Sequence, residues 1–293
     1  MSLTITESFV NNYSKMLFEL SRQKGSRLRQ AVRQEPITGD QAFYERIDTS
    51  PAVPMGARHS STPFTPSEHS RRRLVPSDWV WNDYLDKMDK IKLLTDPTSA
   101  YTEAAIDSLG QRTDMIIIEA LGGNAFSGQN GATAVALPAE QIIVNGATGF
   151  TMAKLREAKY RLDRQNVKAE GRYITISAKG LMDLLAEPNL TSADYNTVKT
   201  LVDGQINTFM GFTFIHSELL ANSNAGQANN IRSCFAWQRD GMMLGIGQDV
   251  NARVSELPER NYSIQAYASM SLGSTRLEEK RVVKIDITEP QNF

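Results

Sequence analysis

The sequence holds one cysteine, Cys234, so no internal disulfide framework exists, and the chain suits a reducing compartment. It lacks any apolar run near the roughly 18 residues that a membrane-spanning helix needs. Residues Met1–Val10 are polar and lack the charged start and apolar block of a secretory signal. A soluble, cytosol-made chain with no membrane partner is therefore expected. An excess of either charge is missing too, since 32 basic residues face 33 acidic ones. Chains that hold nucleic acid through many phosphate contacts usually carry a basic surplus, because each contact replaces condensed counterions with a side-chain cation. A dedicated DNA binder is disfavoured, a local basic arm aside. What remains is ordinary: 293 residues, 41% hydrophobic and 22% charged, enough for one large core or two smaller ones.

Sites of chemistry are scarce as well. The glycine-rich run Gly122–Thr133 follows a helix instead of a strand, and no lysine appears until Lys154, so it reads as a loop and not a phosphate cradle. No G-x-S-x-G elbow is present. His59, His69 and His216 stand far apart and outside any metal-ligand spacing, and one cysteine cannot build a thiolate zinc site. Cys234 sits beside Phe235 and Trp237 in an apolar strand, where a thiol is an inert core residue. Asp83, Asp86 and Asp89 alternate with Lys87 and Lys90, a pattern of local ion pairs. We expect no catalytic residue, no cofactor and no metal.

The first 35 residues read as an amphipathic helix, with Phe9, Tyr13, Met16, Leu17 and Leu20 at helical spacing, and then a basic tail. Such a tail either solvates itself, which is the default, or contacts a neighbouring chain or polyanion. Residues 36–82 hold Pro36, Pro51, Pro54, Pro63, Pro66 and Pro76, which forbid helix and favour extended chain. Yet Phe43, Tyr44, Ile47, Phe64, Leu74, Val75, Trp79, Val80 and Trp81 punctuate the stretch, and a two-stranded excursion cannot bury them alone. A partner surface is expected. Arg71, Arg72 and Arg73 form the densest cation cluster, either a solvated strand end or a recognition element for carboxylate or phosphate. Trp79 and Trp81 share one face of a strand, and tryptophan with arginine is the usual make-up of interface anchors.

Residues 96–121 predict one long helix, opened by Asp96–Pro97 and closed by Gly122–Gly123. Beyond it the spacing predicts strands at 141–144, 172–178, 212–216, 234–238, 262–270 and 283–288. Helices are expected over 151–164, 179–186 and 192–202, and a polar loop over 222–230. The class is α+β.

Four stretches together resemble the major capsid proteins of tailed bacteriophages, whose fold is the Hong Kong 97 type. They are Ser70–Arg73 leading to Asp86–Ile91, Asp96–Ser99, Ser192–Gly204, and Tyr267–Met270 continuing to Gly273 and Arg276–Glu279. The resemblance implies an N-terminal arm (1–35), an extended hairpin or E-loop (36–85), a peripheral domain with a long spine helix (86–125), an axial α/β domain (126–250) and a return to the peripheral sheet (251–293). It implies self-assembly into hexamers and pentamers of an icosahedral shell around double-stranded DNA, contacted weakly, in a virion assembled in the host cytoplasm. Arg71, Arg72, Arg73, Trp79, Trp81 and Phe64 are the candidate inter-subunit contacts. An arm starting near Met1 predicts a separate scaffolding protein and no large propeptide. A portal protein and an added cement protein are further implied partners. No lysine lies between Gln34 and Asp86, so isopeptide cross-linking through this loop is not expected. Two other readings remain open: a nanocompartment shell of the same fold, resembling encapsulins, and a small α/β phosphate-binding enzyme using Gly122–Thr133.

Overall fold

The computed structural model describes residues 23–48, 50–85, 98–186, 208–223 and 230–289. The expected helix around Phe9–Leu20, the Asp96–Pro97 start, the helix over 192–202, Asp86, Asp89 and most of the polar loop 222–230 lie outside them. The described residues divide into two compact units. Unit 1 draws on 23–26, 78–85, 98–112 and 248–271, and unit 2 on the rest.

The elements begin with strands β1 (Arg33–Pro36), β2 (Ala42–Ile47), β3 (His69–Leu74) and β4 (Ser77–Leu85). Helix α1 (Thr98–Gly122) follows, then β5 (Ala125–Ser127), β6 (Thr133–Val135) and β7 (Ile142–Ile143). Next come α2 (Met152–Arg164), β8 (Arg172–Ile176), α3 (Ala178–Leu185), β9 (Thr208–Phe209), β10 (Phe212–His216) and β11 (Asn222–Ser223). The chain closes with β12 (Ile231–Gln238), β13 (Met242–Leu257), β14 (Ser263–Arg276) and β15 (Val282–Thr288). No helix among the described residues is long and apolar enough to cross a membrane.

Unit 2 is built on a seven-stranded sheet of order β7-β15-β12-β8-β10-β9, with β11 added on β12. Strand β12 lies centrally, antiparallel to both β15 and β8, and so reads as a continuous apolar run from Cys234 to Trp237. β8 and β10 pair in parallel, Thr213 opposite Tyr173. Helix α2 starts where the Thr151 hydroxyl accepts from the Lys154 amide at 3.4 Å, and it buries Leu155, Ala158 and Leu162 at helical spacing. β8 stops two residues short of the expected 178. Ser177 turns the chain by accepting from Gly180 N at 3.1 Å, which makes it the cap of α3.

In unit 1, the first part of α1 buries Ala105 and Leu109, and β14 buries alternate residues Ala266, Ala268 and Met270. Residues 23–26 cross this helix. Gly25 N donates to Asp107 Oδ1 at 3.0 Å, and Gln111 Nε2 to Gln23 O at 3.2 Å. A Cβ on Gly110 would stand 2.5 Å from the Gly25 carbonyl carbon, so only glycine permits the crossing.

Three expectations need correction. The basic tail is not solvated over 27–32: Leu28, Ala31 and Val32 are fully buried in the unit 2 core. The Arg27 and Leu28 amides donate to the Asp114 carboxylate at 3.0 Å, and the Trp237 indole donates to Ala31 O at 2.9 Å. The run Gly122–Thr133 is not all loop. It contains β5, which pairs Ser127 with Arg72 and Phe126 with Arg73. The third is β13, a strand the alternation did not predict, because Gly245, Gly247 and a charged outer half interrupt the pattern.

Candidate inter-subunit surface

The excursion 37–74 is a hairpin for only part of its length. β2 and β3 pair from Ala42 opposite Leu74 to Ile47 opposite His69, and the Asp48 amide donates to Glu68 O at 2.9 Å. Beyond that rung regular pairing ends. A tight turn follows, in which Ser60 N donates to Ala57 O at 3.0 Å and His59 adopts a left-handed φ of 64°. Every residue from 50 to 70 is exposed. Phe64 is 88% exposed, Met55 84% and Ile47 68%. Large apolar side chains gathered on one excursion mark an association surface, whereas single ones scattered over a protein do not.

The base of the hairpin is held differently. The four-stranded sheet β2-β3-β5-β6 carries it, and a small core of Ile37, Leu74 and Met243 seals it. β14 passes so close that a Cβ on Gly273 would meet the Val75 carbonyl oxygen at 2.5 Å. Of the three arginines, Arg72 is 1% exposed and pairs with Glu279. Burial pulls its pKa below the ordinary arginine value; the Glu279 carboxylate opposes this, and nearby Arg46 adds to it. Arg46 donates to Leu277 O at 2.6 Å and lies 3.7 Å from Glu279. Arg72 thus spends its charge inside the chain.

Arg71 and Arg73 point to the other face of β3 and stay half-buried against aromatic rings. Arg71 stands 5.7 Å from the Phe43 centroid and Arg73 5.2 Å from that of Phe126, within cation–π range. Trp79 and Trp81 alternate on β4 in unit 1 as half-buried residues, and the Arg112 guanidinium covers the Trp79 ring at 3.8 Å. The structure therefore gathers Arg71–Arg73 on one strand and puts Phe64 on its outlying connection. Trp79 and Trp81 belong to the other unit.

Sequence reasoning missed two buried cations, one that holds the base of this surface and one in the core of unit 2. Arg276 is fully buried and donates to the carbonyls of Ala120 (3.2 Å), Leu121 (3.0 Å), Gly123 and Val135 (3.1 Å). It caps the last turn of α1 with a guanidinium, satisfying carbonyls that a helix end leaves open. Lys154 does the same for the loop before α2, donating to Asn145 O (2.8 Å), Thr148 O (2.9 Å), Gly149 O (2.9 Å) and Asp286 O (3.1 Å). Burial lowers the pKa of both cations. Nothing local in the sequence marks them, since their acceptors are backbone oxygens brought in from distant segments. Cys234 is the expected core thiol, fully buried and pushed up to about 12 by desolvation.

No group of three or more His, Cys, Asp or Glu that could hold a metal occurs among the described residues. The run Gly122–Thr133 leads from α1 into β5 and β6, so no helix N-terminus stands behind it to receive a phosphate. What the geometry offers is a surface for association, on a rigid base.

This architecture is shared with solved phage shells. The capsid of cyanophage P-SCSP1u matches with a TM-score of 0.75 at 14% identity, covering 97% of this chain and 94% of that one. The capsid of Helicobacter pylori bacteriophage KHP30 matches at 0.76 and 9% identity, covering 98% of each chain. Mycobacterium phage Che8 matches at 0.70 and 17%, covering 94% and 97%. The fold is thus of the Hong Kong 97 type. A family model described as phage capsid protein matches residues 5–289, and the chain belongs to that family. It is a major capsid protein, a structural component of the virion and not an enzyme. No curated protein matches the sequence.

Proposed function

We propose that this capsid subunit closes with copies of itself into hexamers and pentamers, and that residues 36–85 form the E-loop that lies on an adjacent copy. The observation that carries this is the stretch 50–68, exposed throughout and bearing Val53, Met55 and Phe64. Its apolar area gains by burial at roughly 25 cal/mol per Å2, and a heterologous contact repeated around a ring multiplies that gain. Phe64 serves as the apolar anchor, Arg71 and Arg73 as cations for a neighbour's carboxylates, and Arg72 as the fixed base on which they stand. Trp79 and Trp81 are separate contact candidates on unit 1.

In this reading residues 1–35 are the arm, 86–125 the peripheral domain with the spine helix, 126–250 the axial domain and 251–293 the return to the peripheral sheet. A separate scaffolding protein guides closure in the host cytoplasm, a portal protein occupies one vertex, and the shell encloses double-stranded DNA. Residues 35–85 contain no lysine, so noncovalent contacts or an added cement protein secure the loop. The nanocompartment alternative loses its ground, because the family match is to phage capsid proteins.

Coexpression with the scaffolding protein of the same phage, followed by electron microscopy, tests this. Icosahedral procapsids are expected from the parent chain, and small soluble oligomers from a chain lacking 51–66. Normal particles from the deletion would refute the role given to the loop.

A further inference from the structure

Helix α2 carries its charges unevenly. Between Met152 and Arg172 lie seven basic residues and three acidic ones, in a chain whose total is −1. Lys154 faces inward and is consumed by carbonyls. The acids of the helix are consumed too: Glu157 accepts from Arg161 Nε at 3.1 Å, and Asp163 pairs with the buried Arg172 at 2.7 Å. In the turn that follows, Lys168 and Glu170 offset each other. Arg156, Lys159 and Arg164 are left, and their side chains have no ion pair or hydrogen bond among the described residues. Arg156, Tyr160 and Arg164 recur every four residues, so they descend one face, with Lys159 beside them. Arg156 and Arg164 are exposed, and Tyr160 is 62% exposed.

We propose that this face of α2 contacts the phosphate backbone of double-stranded DNA, an inference that rests on the shell reading above. The face holds Ala153, Arg156, Lys159, Tyr160 and Arg164, together with the exposed acids Glu157 and Asp163 that are already paired to Arg161 and Arg172, and offers no aliphatic anchor. Arginine and tyrosine also serve protein interfaces, but three unpaired cations without an aliphatic anchor call for a densely anionic partner, and a second copy with a total of −1 is a poor fit. A duplex is a good one. From Arg156 to Arg164 the helix advances about 12 Å at 1.5 Å per residue. Duplex DNA presents one negative charge per about 1.7 Å, so about seven phosphate charges lie within that span. Three cations per copy give weak, sequence-independent contact, and a shell repeats them many times. The near-neutral total is compatible with this, because the surplus sits on one helix face.

The test uses the full chain carrying Arg156→Gln, Lys159→Gln and Arg164→Gln together. These sites are partly or fully exposed, and glutamine is a good helix former, so the fold is retained. Binding of a short labelled duplex of random sequence is followed by fluorescence anisotropy over a salt series. The plot of log K against log salt should become shallower by about 2.7, at about 0.9 per cation removed. An unchanged slope overturns the proposal. If the slope is unchanged and the variant also fails to form shells, the face is a contact between copies instead. Should the parent chain form no shells, the shell reading falls, while the duplex slope on the free chain still decides the face.

Discussion

The seven-stranded core of unit 2 and the connection 48–68 handle misplaced side chains in opposite ways. The core buries charges, and the cations Lys154 and Arg172 among them are satisfied by carbonyls or a carboxylate of the same chain. The connection exposes apolar groups, Met55 and Phe64 foremost, and satisfies none of them. Each arrangement is costly unless a partner is supplied, since a buried unpaired charge loses its hydration and an exposed phenyl ring orders water. In the core the partner is already present. At the connection it has to come from another molecule. The hairpin base, with Arg72 locked to Glu279, joins the two regimes.

Perturbing the base should have the largest effect on folding. Arg72→Ala removes a fully buried guanidinium, leaves the partly buried Glu279 only Arg46 at 3.7 Å, and should cost about 3 kcal/mol by chemical denaturation. The paired change Arg72→Met with Glu279→Gln should recover much of that loss, and no recovery would mean that packing, not charge, holds the base. Next is Lys154→Met, which keeps the stem but strips four carbonyls of their donor. About 2–3 kcal/mol is expected, read from the same denaturation curves.

Cys234 gives a smaller, pH-dependent effect. Its folded pKa of about 12 lies above the ordinary 9.0, so the native state holds the proton more tightly than the unfolded chain. That stabilisation is complete below the unfolded pKa and is lost as pH rises from about 9 through the folded value. Stability curves of the parent and of Cys234→Ala should run parallel below that window, with only the parent losing this contribution within it, and the parent thiol should resist alkylation until the chain unfolds.

Smallest for folding is Phe64→Ser, expected within about 0.5 kcal/mol because the ring touches solvent already. Particle yield by electron microscopy should nevertheless collapse. A variant that lost stability but still built shells would reverse the distinction between core and connection.

Much of the fold was legible in the sequence. Helix α2 announced itself through Thr151 and the Leu155–Ala158–Leu162 spacing, and β15 through strict alternation from Val282. These signals are local, because a helix stripe or a strand face is set by residues a few positions apart. β13 escaped because its outer half has no single buried face to impose a period. β5 escaped because three residues in a glycine-rich run become a strand only when β3 lies beside them.

The surface divides along the same line. The helix-free, aromatic-bearing stretch 36–82 could be read from its prolines, which act on their own backbone and on the residue before them. Which of three consecutive arginines would be spent inside the chain could not. Arg72 faces Glu279 because the strand pleat turns it inward while Arg71 and Arg73 turn out, and because β14 brings Glu279 across more than two hundred residues of sequence. Composition and local pattern determined a chain with an unburied excursion and a family likeness. Only the tertiary structure decided which charges the chain satisfies itself, because hydrogen bonds and ion pairs depend on distances in space that spacing along the sequence does not encode.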